Sequence, residues 1–71
     1  MLRCHLSTLM GRERLTISEV MRRTGLSRNA VTALYEERAK RIDLNTMARL
    51  CELFECTVDE LLEYSTEEKN E

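Results

Sequence analysis

Apolar residues recur at helical spacing in five stretches of this chain, and polar residues with cap chemistry separate them. Ile17, Val20 and Met21 form one such face. Val31 and Leu34 form a second, with Ala30 and Ala33 as small neighbours, and Leu44, Met47, Leu50, Cys51 and Phe54 form a third. Val58, Leu61 and Leu62 make a shorter stripe, and Leu2, Leu6, Leu9 and Met10 mark an apolar face near the start. Four helix starts are fixed more sharply than periodicity allows. Each joins a cap residue to an apolar residue before it and another at the fourth helical position, the hydrophobic staple. The four are Leu15-Thr16 with Val20, Leu26-Ser27 with Val31, Ile42-Asp43 with Met47, and Cys56-Thr57 with Leu61. Thr16 with Glu19 and Thr57 with Glu60 also have the spacing of a capping box.

The pattern predicts helices near residues 3–14, 17–24, 28–35, 44–54 and 58–63, with an extended start as the alternative for the first few residues. Their apolar faces have only one another to cover, so the expected fold is all-α, a compact bundle of five short helices. Residues 1–64 form one domain in this reading. Residues 65–71 are polar and acidic without apolar periodicity, and are expected to be a disordered tail. Gly25 sits between the second and third helices. A chain leaving one helix there needs a left-handed backbone conformation, which glycine adopts at least cost. Leu26 then fills the angle and Ser27 caps the next helix, which is the description of a helix-turn-helix.

Composition narrows the function classes. With 71 residues there is no room for an enzyme cleft walled by separate layers, and no paired carboxylates, nucleophile–base set or metal cluster stands at a telling spacing. No enzymatic activity and no cofactor are expected. No apolar run approaches membrane-spanning length and no basic-then-apolar signal segment opens the chain, so the expectation is a cytoplasmic protein without a membrane partner. Cys4, Cys51 and Cys56 are then expected as reduced thiols. A metal site built from them with His5 is not expected, because Cys51 and Cys56, five apart, project from different faces of a helix and no Cys-x-x-Cys pair exists. His5 reads as a surface or partly buried residue.

The formal charge of −2 hides an asymmetry. Residues 1–41 carry nine Lys/Arg against four Asp/Glu, and residues 42–71 carry two against nine. Phosphate contacts respond to local charge rather than the sum, so the basic part suits a nucleic-acid partner. Nine of the eleven basic residues are arginine, whose planar fork matches phosphate and guanine.

Glu19, Val20, Gly25, the Leu26-Ser27 entry, Val31 and Leu34 resemble the Cro and phage-repressor type of helix-turn-helix, the xenobiotic-response-element-like family of bacterial and phage regulators. Helix count and order extend the resemblance over residues 3–63. It implies that the third helix enters the DNA major groove. With Val31 and Leu34 facing inward, Arg28, Asn29, Thr32 and Ala33 are left to read bases: arginine forks onto guanine, asparagine onto adenine, and threonine or alanine methyls touch thymine. The resemblance also lays Arg38, Ala39, Lys40 and Arg41 along the phosphate backbone, with Arg41 the candidate for the minor groove. Asn45 and Thr46 open the fourth helix, and Thr16 and Ser18 the second, where backbone N–H groups hold phosphates. One departure stands out. Many family members have asparagine and glycine after the third helix, whereas this chain has Glu36 and Glu37, two acids that repel DNA unless they turn away or pair with Arg38, Lys40 or Arg41.

Two functions follow. The first is a sequence-specific regulator of transcription, a repressor, bound to double-stranded DNA without a small-molecule ligand. The alternative is a protein–protein adaptor or antitoxin-like module of the same fold. One such module reads few base pairs, so a homodimer is expected, with Leu2, Leu62 and Tyr64 either available for pairing or finishing the core.

Overall fold

A computed structural model describes residues 2–64. The expected tail over residues 65–71 lies outside the described residues. Five helices are present: α1 (Leu6–Glu13), α2 (Ile17–Thr24), α3 (Arg28–Tyr35), α4 (Leu44–Phe54) and α5 (Val58–Leu61). Two short strands, β1 (Leu2–Cys4) and β2 (Leu62–Tyr64), complete the fold, and they correct the all-α expectation. They pair antiparallel, with Leu2 opposite Tyr64, Arg3 opposite Glu63 and Cys4 opposite Leu62. The His5 N–H continues the ladder to the Leu61 carbonyl at 2.8 Å. The extended start weighed for the first few residues is what forms, in place of the helix from residue 3, and the last predicted helix was too long at its outer end. The pairing partner of each strand lies some sixty residues away, and three residues are too few for alternation to show.

The helix starts stand where caps and staples put them. Thr16, Ser27, Asp43 and Thr57 are the N-caps, each with extended backbone. Ser27 Oγ accepts the Ala30 N–H at 3.1 Å, and Asp43 Oδ1 accepts the Thr46 N–H at 2.7 Å. The Thr16 box closes both ways, Glu19 N–H to Thr16 Oγ1 at 3.2 Å and Thr16 N–H to Glu19 Oε1 at 2.9 Å. Glu60 reaches back to the Thr57 N–H at 2.8 Å. Each such cap satisfies donors that a helix start leaves orphaned, worth about 1 kcal/mol apiece.

Every helix contributes to one core: Leu6, Leu9 and Met10 from α1, Val20 from α2, Val31 and Leu34 from α3, Leu50 and Phe54 from α4, and Leu61 from α5, with Cys4 from β1. The staple residues Leu15, Leu26, Ile42, Met47 and Cys56 pack around it. Three residues assigned to apolar faces from periodicity do not take part. Leu44 is 81% exposed, Leu2 67% and Val58 51%. Leu44 and Val58 open their helices, one turn short of the residues that reach the core, and Leu2 belongs to the sheet rather than to α1.

Candidate nucleic-acid interface

The turn between α2 and α3 is held from three sides. Gly25 takes the left-handed conformation (φ 78, ψ 8), and its N–H closes α2 on the Met21 carbonyl at 2.8 Å. Thr24 is buried. Its hydroxyl donates to the Val20 carbonyl at 2.6 Å and accepts the Leu26 N–H at 3.2 Å, so the one polar side chain buried among the described residues keeps partners on both sides of the turn. Arg49 of α4 donates from Nη1 to the Thr24 carbonyl at 2.8 Å. A Cβ on Gly25 would stand 3.2 Å from that same nitrogen.

This turn presents α3 with Val31 and Leu34 buried and with Arg28 and Asn29 exposed; Thr32 and Ala33 are half-buried. Arg28 does not stray. Its Nη2 donates to Ser18 Oγ at 3.0 Å, linking the first residue of α3 to the second of α2. Two of the candidate contacts, one assigned to a base and one to the backbone, therefore touch each other.

Between α3 and α4 the chain makes a loop over residues 36–43. Ala33, Lys40, Arg41 and Thr46 line a shallow groove there, together with Ala30 and Asp43. Four of the candidate residues are brought to one place by it. Thr16, Arg38 and Asn45 are exposed. The two acids that stood against the resemblance are both accounted for. Glu36 accepts from Arg38 Nε at 2.7 Å, so Arg38 is paired. Glu37 turns away, adopting a left-handed backbone (φ 58), and its carboxylate accepts from Arg3 Nε at 3.0 Å and from the Cys4 N–H at 3.2 Å. Those bonds, the guanidinium foremost, hold the Glu37 carboxyl below the ordinary glutamate range.

Asp43 changes one expectation. Its carboxylate accepts the Thr46 N–H and also draws on the Asn45 N–H, which lowers its pKa. The Asn45 and Thr46 amides, at the opening of α4, are thus already engaged by Asp43. At α2 the Glu19 amide is likewise taken by Thr16, while Glu19 itself is acidified chiefly by the Thr16 N–H. Arg49 at the turn, and Ala30 and Asp43 in the groove, were not foreseen, although Asp43 was expected to cap α4. For Asp43 a signal existed, since a residue that caps a helix occupies the amides beside it. Among the described residues no group of three or more His, Cys, Asp or Glu side chains could hold a metal ion, and no helix is long and apolar enough to cross a membrane.

A glycine-turned helix pair with a polar, arginine-led outer helix, followed by a loop that carries Arg38, Lys40 and Arg41, defines a class of small DNA-binding domains, and comparison with known families agrees. The chain belongs to the Cro/C1-type HTH DNA-binding domain family, whose model matches residues 5–67. It is similar to the HTH-type transcriptional regulator YozG of Bacillus subtilis (strain 168), a protein described as uncharacterized. The two are 25% identical over 64 residues, which cover 90% of this chain and 76% of that relative.

Proposed function

We propose that this protein is a sequence-specific transcriptional regulator, a repressor, that lays α3 in the major groove of double-stranded DNA. The observation that carries this reading is the division of α3: Val31 and Leu34 anchor it in the core while Arg28 and Asn29 project from its exposed opening turn. In this reading Arg28, Asn29, Thr32 and Ala33 read base edges. Lys40 and Arg41 follow the backbone from the loop, Arg41 reaching toward the minor groove. Thr16, Ser18, Arg38, Asn45 and Thr46 supply side chains to phosphates on either flank. Occupying an operator blocks transcription without further machinery, which makes repression the simplest mode.

Pairing belongs to the same proposal. One module of this size buries roughly 600–1,000 Å² of its own surface on DNA, too little to single out a site in a genome. In the sheet, Leu2, Cys4, Leu62 and Tyr64 share one face by register. Cys4 is buried, while Leu2 and Tyr64 overhang the core at 67% and 61% exposure. That overhang is the surface on which two copies pair, setting two α3 helices about one DNA turn, ~34 Å, apart on an inverted repeat.

Selection of bound duplexes from a random pool tests the proposal. A consensus with two-fold symmetry, bound with an affinity that falls steeply with salt, is the expected result. Binding without sequence preference, or no loss with salt, would favour an adaptor module of the same fold.

A further inference from the structure

Two of the helices end in the same way, and the difference between them concerns chemistry. α1 ends on Arg14 in the left-handed conformation (φ 59), and the Leu15 N–H returns to the Met10 carbonyl at 2.9 Å. α4 ends on Glu55 (φ 52), and the Cys56 N–H returns to the Cys51 carbonyl at 3.0 Å. This return folds the residue beyond the helix end back over the one whose carbonyl it reaches, so their side chains meet. In α1 the residues so joined are Met10 and Leu15, an apolar contact. In α4 they are two thiols.

Cys51 and Cys56 are both reduced and half-buried, and the Cys51 thiol stands near enough to help raise the Cys56 pKa. The backbone also permits a covalent bond. With an N···O distance of 3.0 Å, the adjoining covalent legs leave the two Cα atoms at most about 7 Å apart, against the roughly 4.4–6.8 Å that disulfides span. Arg12 of α1 stands over the same helix end, donating from Nη2 to the Phe54 carbonyl at 3.4 Å.

We propose that Cys51 and Cys56 form a reversible dithiol–disulfide site whose oxidant is a low-molecular-weight disulfide of the glutathione type. The thiolate of one cysteine attacks a sulfur of the oxidant, forming a mixed disulfide and releasing one small thiolate. The second cysteine, deprotonated, attacks the protein sulfur of that adduct, forms the Cys51–Cys56 bond and releases the other small thiolate. Two electrons pass from the protein to the oxidant, and the two protein thiol protons end on the two released thiols. The cross-link ties the end of α4 to the residue before Thr57, the cap of α5, and so fastens α5 and β2 behind it. Asn45 and Thr46 lie at the opposite end of α4 and are left as they are.

Burial, with a further push from Cys51, raises the Cys56 thiol above its ordinary value of 9.0, more than Arg12 lowers it. Attack by Cys56 therefore starts slowly at neutral pH and gains speed, by about tenfold per pH unit below its pKa, as its thiolate forms. The test treats the folded protein with oxidised glutathione at several pH values and blocks the remaining thiols. Intact mass is then measured, and the chain is cut after Glu52 and Glu55. The expected product is a monomer lighter by two hydrogens before blocking, with one blockable thiol in denaturant, Cys4, and with the Cys51 and Cys56 peptides joined. Dithiothreitol should restore three thiols. Cys51→Ser and Cys56→Ser should each stop at a mixed adduct, and Cys4→Ser should still close the bond. Stable adducts on both thiols, a bond to Cys4, bonds only between chains, or no reaction would each overturn the proposal.

Discussion

The chain enters and leaves α3 through left-handed residues, but it makes the two turns by different means. Before α3 the residue is Gly25, for which the conformation carries no side-chain penalty, and the turn is sealed by the buried Thr24 hydroxyl and by Arg49. After α3 the residue is Glu37, which bears a Cβ in the same unfavourable region and is kept there by Arg3 and the Cys4 N–H. The first turn is a property of local sequence and core packing. The second depends on an exposed carboxylate and on a strand that exists only because β2 pairs with it. The entry to the candidate recognition helix is therefore set by local sequence and core packing, while the path of the loop behind it is tied to the sheet.

Substitution at Gly25 gives the largest expected effect. Valine there must hold φ near 78 and crowd Arg49 Nη1, which would stand 3.2 Å from the new Cβ. A loss of about 1–3 kcal/mol is expected from the strained backbone alone, read as a lower thermal midpoint. An unchanged midpoint would mean that glycine is not what makes this turn.

Glu37 is expected to behave in the opposite sense. Glu37→Ala keeps the left-handed strain and loses both bonds, whereas Glu37→Gly loses the bonds but relieves the strain, so the glycine variant should melt above the alanine variant. Acid sharpens the same point. The folded-state pKa of Glu37 lies below its ordinary 4.5, so its contribution is complete above that value and disappears as pH falls through the folded pKa. The midpoints of the native protein and Glu37→Gln should accordingly differ at pH 7 and converge in acid. A constant difference down to low pH would show that the charge is not what holds the loop.

Gly11 supplies the smallest effect and a control. It lies inside α1 at ordinary φ, and a Cβ there meets nothing within 4 Å. Gly11→Ala should raise stability by about 0.5–1 kcal/mol, opposite in sign to the change at Gly25. Two glycines that answer alike would undo the distinction between them.

How much of this was legible follows from where the determining interactions lie. The starts of α2, α3, α4 and α5 were readable because a cap and its staple, with a box as well for α2 and α5, fall within six residues. The sheet was not, because β1 and β2 have no meaning apart from each other. Glu36 and Glu37 looked like an obstacle to DNA, and only the fold brings Arg3, 34 positions earlier, to Glu37. The relative placement of the two cysteines is a different case. Treating Cys51 and Cys56 as residues of one continuous helix separates their side chains, yet the staple at Cys56-Thr57 already required the chain to have left α4 before Cys56. Within the candidate site, the inward placement of Val31 and Leu34 was legible from period alone. The link from Arg28 to Ser18 required the packed helices, whereas the use of the α4 amides by Asp43 was implicit in its role as a cap.

The central claim, that α3 reads sequence while the loop behind it grips the backbone, is tested most directly by competition binding on a selected duplex and on its single-position mismatches. Arg28→Ala should cost about 1–3 kcal/mol on the preferred duplex and abolish discrimination at one position. Arg41→Ala should weaken every duplex alike and lower the salt slope by about one. If Arg28→Ala instead weakens all duplexes equally, with discrimination intact at each position, α3 does not read bases through Arg28 and the account is contradicted.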